Sequence, residues 1–472
     1  MDSVKRYQAI IPAWEQFCAF FARPLPVTFW TNTTRITPAE LQTILDRDNI
    51  PATPMTWRKD GFRIQHPTEK GNLWMYKAGL MHWMEEVSMI PPLALNARPG
   101  ERILDLCAAP GNKTLQIAAS MQGTGTLLAN EINWGRALIL KSHAERLGFT
   151  NISILCHDGS NLNRNAATFD RILCDVPCSC EGTHRKRGKN AQWGAEDFRE
   201  KLVRSQKALL RKALQLLKVG GRIVYSTCTY APEENEGVVD AILSEYAGMV
   251  KVVPTLVEGL VSSPGIQEWE GQCYAPELMH CLRIYPHQND TGGFFVATLE
   301  KLANVPAWEQ VLLHTEAKPI LAAQDTGLQE ACASLTERFG FLPAWLAQTG
   351  FYWHNGNLFA VAEPHFPIPA LETESCGLML LRASINHPKM PTGMANRLAR
   401  HVKCNVVDLD EPQRELYLRR EKCELCPEQI ANCTSDGYVF VRFGGFGLGQ
   451  GSLDRTRGSI ELLSLFPKGW KI

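Results

Sequence analysis

The chain has 472 residues, too many for one hydrophobic core, so two to four domains are expected. Hydrophobic residues make up 45% and charged residues 21%; this ordinary globular composition excludes disorder and collagen-like structure, and no apolar run reaches the roughly 18 residues of a membrane span. Lys plus Arg and Asp plus Glu both number 49, so net charge gives no argument for a nucleic-acid partner.

The opening Met1-Asp2-Ser3-Val4-Lys5-Arg6 leads into a polar-interrupted segment rather than an apolar signal core, so a cytoplasmic chain is expected. Residues 1–95 join a helical stretch over Trp14 to Phe21 with short extended pieces around Val27 to Thr34, and read as a small α+β accessory region. Turn chemistry at Asn96-Ala97-Arg98-Pro99-Gly100 opens a regular alternation over 96–302. Strands are predicted over Arg102 to Leu106, Thr126 to Ala129, Ile152 to Cys156, Ile172 to Cys174 and Arg222 to Tyr225. Helices are predicted over Lys113 to Ala119, Trp134 to Leu147 and Glu196 to Leu217, with another starting at Pro232, a favoured first helical position.

Between 181 and 222 twelve Lys/Arg stand against four Asp/Glu, a stretch that either holds a phosphate backbone or forms a solvated helix face beside a loop. Two later runs, Cys281 to Tyr285 and Gly293 to Leu299, predict an antiparallel hairpin. Such alternation means an α/β fold with a parallel, doubly wound sheet, which binds ligands beyond the carboxyl ends of its strands. Residues 303–372 read as a mixed connecting domain. Residues 373–472 are β-rich with many glycines, as in Gly437 to Gly447, and predict a small barrel-like domain.

Asp105-Leu106-Cys107-Ala108-Ala109-Pro110-Gly111-Asn112-Lys113-Thr114 joins the first of these strands to its helix. Small residues and a glycine let the backbone approach a ligand, and the helix N-terminus offers free N–H groups. A phosphate-cradling P-loop does not fit, because Asn112 separates Gly111 from Lys113 and no glycine opens the loop. The dinucleotide fingerprint needs three spaced glycines, and only one is present. What remains is an adenosine site that holds no phosphates. Glu131, at the end of the next strand, is placed for the two ribose hydroxyls, and Asp158, after the third, for an adenine amino group. Either acid alone would more often be a surface residue; the succession of both after this loop is what points to a ligand.

The fifteen cysteines are scattered and read as reduced thiols. Cys107, Cys156 and Cys174 read as buried filler. Cys178, in Asp175-Val176-Pro177-Cys178-Ser179-Cys180-Glu181-Gly182, and Cys228, in Tyr225-Ser226-Thr227-Cys228-Thr229, instead follow strand ends among polar residues, and adjacent strands would bring them to one cleft. A disulfide is not expected there. Nor is a metal, since Cys178-x-Cys180 plus Cys228 does not clearly supply enough ligands. Cys423-x-x-Cys426 with Cys433 is the better zinc candidate, although no second Cys-x-x-Cys follows.

Together these blocks resemble the Nol/Nop/Sun-type RNA cytosine-5 methyltransferases. Asp105 to Thr114 is similar to that family's Asp-x-Cys-Ala-Ala-Pro-Gly-Gly-Lys-Thr motif, Asp175 to Gly182 to Asp-x-Pro-Cys-Ser-Gly, and Tyr225 to Thr229 to Tyr-Ser-Thr-Cys, with Glu233-Glu234-Asn235-Glu236 matching the acid-rich helix start that follows. The resemblance covers about 75–302. It implies a Rossmann-like core, S-adenosyl-L-methionine as cofactor and RNA as partner; no membrane partner is expected from the apolar runs, and no obligate protein partner is evident in the sequence. It assigns the nucleophile to Cys228 and assistance in product release to Cys178, an order the residues alone leave open. It places Cys107, Ala108, Ala109, Pro110, Gly111, Asn112, Lys113, Glu131, Asp158 and Asp175 around the cofactor.

The family's chemistry accounts for a thiol: a thiolate adding to carbon 6 of cytosine makes carbon 5 nucleophilic, helped by a proton at ring nitrogen 3, a role for Asp175. The tail from Gly444 to Trp470 is similar to the PUA-like end of bacterial F-type small-subunit ribosomal RNA methyltransferases, which favours ribosomal RNA as substrate, with transfer RNA the rival and a catalytically silent RNA-binding ribosome assembly factor the alternative of another class. Arg185-Lys186-Arg187-Gly188-Lys189 and the tail are expected to hold the RNA. Asn112 and Cys180 stand where the family has glycine, and a positive φ at Cys180 would strain its turn. Met84-Glu85-Glu86-Val87-Ser88 and Trp30-Thr31-Asn32 match the family only loosely.

Overall fold

Alternate residues of each central strand enter opposite cores, as a sheet covered on both faces requires. Leu104, Ile172, Cys174, Ile223 and Tyr225 pack on one side with Leu209, Leu210, Ala213 and Leu214 of helix Glu196–Leu216. Ile103, Leu173 and Val224 pack on the other with Leu115, Ile117 and Ala118 of helix Asn112–Ser120 and Leu140 and Ala144 of helix Trp134–Leu147. This arrangement is seen in a computed structural model that describes residues 2–65, 73–162, 169–187, 196–306, 320–322, 324–340, 349–364, 373–382, 389–455 and 459–470.

The central sheet runs Leu217–Thr227, Phe169–Asp175, Arg102–Asp105, Thr126–Asn130, Ile152–Leu155, all parallel. The strand order reverses between Arg102–Asp105 and Phe169–Asp175, which opens a crevice at their carboxyl ends. Antiparallel strands flank the parallel core. Phe294–Lys301 pairs with Leu217–Thr227 and, in the expected hairpin, with Leu282–Ile284. Ser375–Cys376 covers the other edge beside Ile152–Leu155, which blunts an exposed edge strand.

The helix expected from Pro232 begins later, at Glu236–Glu245. Its first carboxylate is held by Arg283 Nη2 at 2.5 Å in a fully buried pair. Glu234 and Asn235, read as part of its first turn, bond instead to the cysteine-bearing loops described below.

The chain's two ends share one core. A four-stranded N-terminal sheet, ordered Ala52–Pro54, Gly61–Ile64, Val27–Thr31, Met81–Trp83, and a five-stranded C-terminal sheet, ordered Val406–Asp408, Gly437–Phe443, Phe446–Asp454, Glu461–Ser464, Lys422–Glu424, contribute residues to the same apolar cluster. Trp74 meets Phe443 edge-on at 5.0 Å between ring centroids, a favoured aromatic geometry. A third sheet, Thr349–His354, Asn357–Ala362 and Leu378–Arg382, straddles position 372. No helix among the described residues is long and apolar enough to cross a membrane.

Phe446→Ala empties part of the shared core and is expected to cost about 3–5 kcal/mol. Denaturant unfolding with probes in each sheet should show both ends weakened together; loss confined to the C-terminal sheet would contradict a common core.

Candidate active site

Parallel pairing sets Asp175 opposite Ser226. Both strands therefore end at one level, and the loops beyond them meet. Cys178 Sγ lies 3.4 Å from Cys228 Sγ and accepts from the Cys228 backbone N–H at 3.3 Å. Cys180 Sγ is 3.9 Å from Cys178 Sγ and donates to the Cys178 carbonyl at 3.2 Å. All three thiols are free and half-buried. The Cys178 thiol is pushed well above its usual range by hydrogen bonds with Cys180 and Cys228 and by burial. At Cys228 the bond from Cys178 favours the thiolate, while Cys180, burial and Asp175 oppose it, and the net shift is well upward.

Buried polar groups to which the sequence assigned no role in the site order the two loops and tie them together. Glu234, fully buried, accepts from the Ser179 backbone N–H at 3.0 Å and from Gln206 Nε2 at 2.9 Å. Asn235 accepts from the Thr227 hydroxyl at 2.5 Å and donates to the Thr229 carbonyl at 3.1 Å. Glu181 accepts from the Thr229 hydroxyl and from Tyr7, each at 3.0 Å. The Gly182 N–H donates to the Cys228 carbonyl at 2.8 Å. Gly182 has no room for a side chain, since a Cβ would lie 2.2 Å from the Gly293 carbonyl oxygen. Cys180 has φ +61°, ψ +24°, the left-handed region where a β-carbon is penalised. The strain anticipated for cysteine at that position is present.

Asp175 Oδ2 is 2.6 Å from Lys113 Nζ, and Oδ1 accepts from the Ser226 hydroxyl at 2.7 Å. Lys113 also lies 5.3 Å from the centroid of the Phe294 ring, another residue the sequence reading passed over. The adenosine-type loop sits beside this pair at the crevice. Asp105 accepts from the Thr114 hydroxyl at 2.7 Å, and burial raises its carboxyl to about 7. Ala108 and Ala109 are buried, Pro110 is exposed, and Gly111 takes φ +107° where a Cβ would come within 2.5 Å of Leu140 Cδ1. Cys107 is half-buried, with burial driving its thiol up. Asn112, the other departure from glycine, turns its side chain to His82 Nε2 at 3.0 Å. Arg146 donates to His82 Nδ1 at 2.6 Å, which leaves Nε2–H as the donor to Asn112.

Glu131 is buried at its strand end, where it accepts from the Asn133 N–H at 3.0 Å and from Arg136 Nη1 at 3.3 Å. Arg136 also donates to the Ala109 carbonyl at 2.5 Å, which ties this acid to the loop. Asp158 is exposed, and its carboxylate closes its own turn through Ser160 and Asn161. Small-residue backbone, a helix N-terminus and the Glu131 carboxylate suit an adenosyl group.

Two expectations change. Arg185 does not face solvent: its side chain is 1% exposed and bonds to the carbonyls of Arg23, Pro24 and Thr291 and to Asp290. Lys186 is exposed; the side chain of Arg187 and residues Gly188 and Lys189 lie outside what is described. Much of the remaining basic surplus is paired internally, as in Arg199–Glu181, Arg211–Glu245 and Lys218–Asp170. The zinc candidate also fails. Cys423 bonds to the Gln413 carbonyl and Cys433 towards the Val406 carbonyl, while Cys426 is exposed. Among the described residues the one group of metal-capable side chains that converges is Cys178, Cys180 and Cys228.

Glu234→Ala would leave the Ser179 N–H and the Gln206 amide without this acceptor in a buried setting. It is expected to cost about 1–3 kcal/mol and lower the unfolding temperature; an unchanged transition would contradict the loops' dependence on Glu234.

A family model described as 16S rRNA methyltransferase RsmB/F matches residues 92–300. The chain is 37% identical over 303 residues to the tRNA (cytosine(49)-C(5))-methyltransferase of Pyrococcus abyssi, an alignment covering 63% of this chain and 95% of that enzyme. It is 33% identical to ribosomal RNA small subunit methyltransferase F of Erwinia tasmaniensis, but here the match covers 65% of this chain and 64% of the relative, just under two thirds of its length. A crystal structure of a methyltransferase homologue from Pyrococcus horikoshii superposes with a TM-score of 0.57 at 30% identity, over 64% of this chain and 94% of that one. The chain belongs to the RsmB/F and Sun-type family of S-adenosylmethionine-dependent RNA cytosine-5 methyltransferases.

Proposed function

We propose that this enzyme methylates carbon 5 of cytosine in small-subunit ribosomal RNA through a covalent bond between Cys228 Sγ and carbon 6. The observation that carries the reading is the 3.4 Å approach of Cys178 and Cys228 beside the Lys113–Asp175 pair. Cys228 Sγ adds to carbon 6 as ring nitrogen 3 takes a proton, and the electron pair gained by the ring makes carbon 5 the nucleophile. The Lys113 ammonium lies 2.6 Å from Asp175, and the proton proposed for the ring nitrogen comes from Lys113 by way of that carboxylate, which the Ser226 hydroxyl fixes. S-adenosylmethionine supplies the electrophilic methyl group. A base then removes the carbon 5 proton, that bonding pair re-forms the ring double bond as the sulfur–carbon 6 bond breaks, ring nitrogen 3 returns its proton to the Lys113–Asp175 pair, and Cys178 assists by holding the departing thiolate through its S–H.

The residues proposed to bind the cofactor are Cys107 to Lys113 by backbone and side chain, Glu131 at the ribose hydroxyls, Asp158 at the adenine amino group, and Asp175. Glu131 would exchange part of its bonding with Asn133 and Arg136 for the ribose. The target cytosine must be unpaired or flipped, since a stacked base cannot be attacked at its ring face. Exposed Lys186, Lys201 and Arg204, with the C-terminal β-rich region, are the proposed RNA contacts. The proposed division is 1–95 and 373–472 for RNA binding, 96–302 for catalysis and 303–372 as connector, in a cytoplasmic enzyme, with the sheet across 372 tying the connector to the C-terminal part and Ser375–Cys376 tying that part to the catalytic sheet.

Transfer RNA is the second reading, favoured by the nearly full-length match to the archaeal enzyme that methylates it. Bisulfite sequencing of total RNA with and without the gene separates the two. A protected cytosine lost from small-subunit ribosomal RNA is expected, and one lost from transfer RNA alone would reverse the order.

Cys228→Ala is expected to abolish methylation, and Cys178→Ala to accumulate a protein–RNA adduct on a denaturing gel. An adduct with the Cys228 variant instead would overturn the roles. Because both thiols sit above their usual range, the thiolate fraction is small at neutrality and grows with pH. The single-turnover rate should therefore climb between about pH 6 and 9, and a flat profile would count against a thiolate-limited step.

A further inference from the structure

The reaction proposed above uses two cysteines, yet the cleft holds three. Cys180 has no part in that chemistry and occupies a strained backbone position, φ +61°, which directs its sulfur back to the other two. All three sulfurs lie within 4.8 Å of one another.

We propose that Cys178, Cys180 and Cys228 form a three-thiolate site for a soft closed-shell cation of the zinc class, whose binding reversibly blocks methylation. Zinc–sulfur bonds of about 2.3 Å at tetrahedral angles put sulfurs about 3.8 Å apart. The sulfur separations of 3.4 Å for Cys178–Cys228 and 3.9 Å for Cys178–Cys180 bracket that value. Closing on a cation therefore asks for adjustments of a few tenths of an ångström along those two edges, within the reach of side-chain rotation. The three thiols are free and half-buried, accessible from solvent yet partly shielded.

On binding, the three thiols release their protons to solvent and three sulfur–metal bonds form, with the fourth position left to water. The Lys113 ammonium, which acts electrostatically on Cys228, offsets the excess negative charge of three thiolates around a divalent ion. The catalytic pair alone offers two ligands, too few for a tight zinc site. Cys180, where the resemblance expects glycine, supplies the third. A cation seated there occupies the Cys228 lone pair, so carbon 6 of cytosine cannot be attacked until a chelator removes the ion.

Metal capture needs neither RNA nor S-adenosylmethionine, so it can be read separately from the proposed reaction. The full-length reduced protein is titrated with zinc against a chromophoric chelator, and with cobalt for its sulfur-to-metal charge-transfer absorption. Cys180→Gly and Cys426→Ser are compared with the parent chain. Cys180→Gly relieves the strained φ and leaves Cys178 and Cys228 in place; because it also removes a group that opposes the Cys228 thiolate, zinc inhibition is read against its own metal-free rate. The substitution should weaken zinc binding at least about tenfold and lose the cobalt–thiolate band, while Cys426→Ser keeps both. Zinc should inhibit the parent enzyme, chelator should restore it, and Cys180→Gly should resist at the same concentration. Absence of zinc binding by the parent chain, equal affinity in Cys180→Gly, or loss of binding in Cys426→Ser would overturn the site.

Discussion

The parallel register between the strand ending at Asp175 and the strand ending at Thr227 is the constraint on which the site depends. With Asp175 opposite Ser226, both chains leave the sheet at one height. Their next residues have nowhere to go but towards each other over the crevice where strand order reverses. Shifting that register by one residue would turn every side chain of the strand to the other face and carry Cys228 away from Cys178.

Register alone leaves two loops free to splay, and buried polar groups prevent it. Glu234 and Glu181 each join the Cys178 loop to the Cys228 segment, Asn235 folds the Cys228 segment on itself, and Tyr7 extends the network to the start of the chain. Such groups are costly to bury without partners. Their bonds therefore favour the conformation that brings the thiols together. Starting the helix at Glu236 rather than Pro232 is part of the same solution, because an earlier start would draw Glu234 and Asn235 into a regular turn.

The sheet, its helices, the cofactor-type loop and the cysteine pair were legible in the sequence because each rests on short local patterns: two-residue alternation, a small-residue turn, polar residues after a strand. What was not legible depends on distant partners. Arg185 read as a solvent-facing cation, yet its guanidinium finds the Arg23, Pro24 and Thr291 carbonyls and Asp290 from far along the chain. Asn112 looked like a departure within the loop, and its compensation by His82 lies thirty residues upstream. The N- and C-terminal sheets looked independent, since nothing near Trp74 or Phe446 in sequence announces their shared core. Cys180 lay between the two cases: its strain followed from glycine's usual place there, whereas its approach to both other thiols required the fold.

The central claim, that Cys228 forms the bond to cytosine, is tested most directly with RNA carrying 5-fluorocytosine at the target position. Fluorine at carbon 5 cannot leave as a proton, so the adduct cannot resolve after methyl transfer. Trypsin separates the candidates, because Cys228 falls in the peptide 223–251 and Cys178 and Cys180 in 172–185. Mass spectrometry of the trapped complex should place the methylated, fluorinated nucleotide on Cys228. A nucleotide on Cys178 or Cys180 would contradict the account, as would turnover without any adduct.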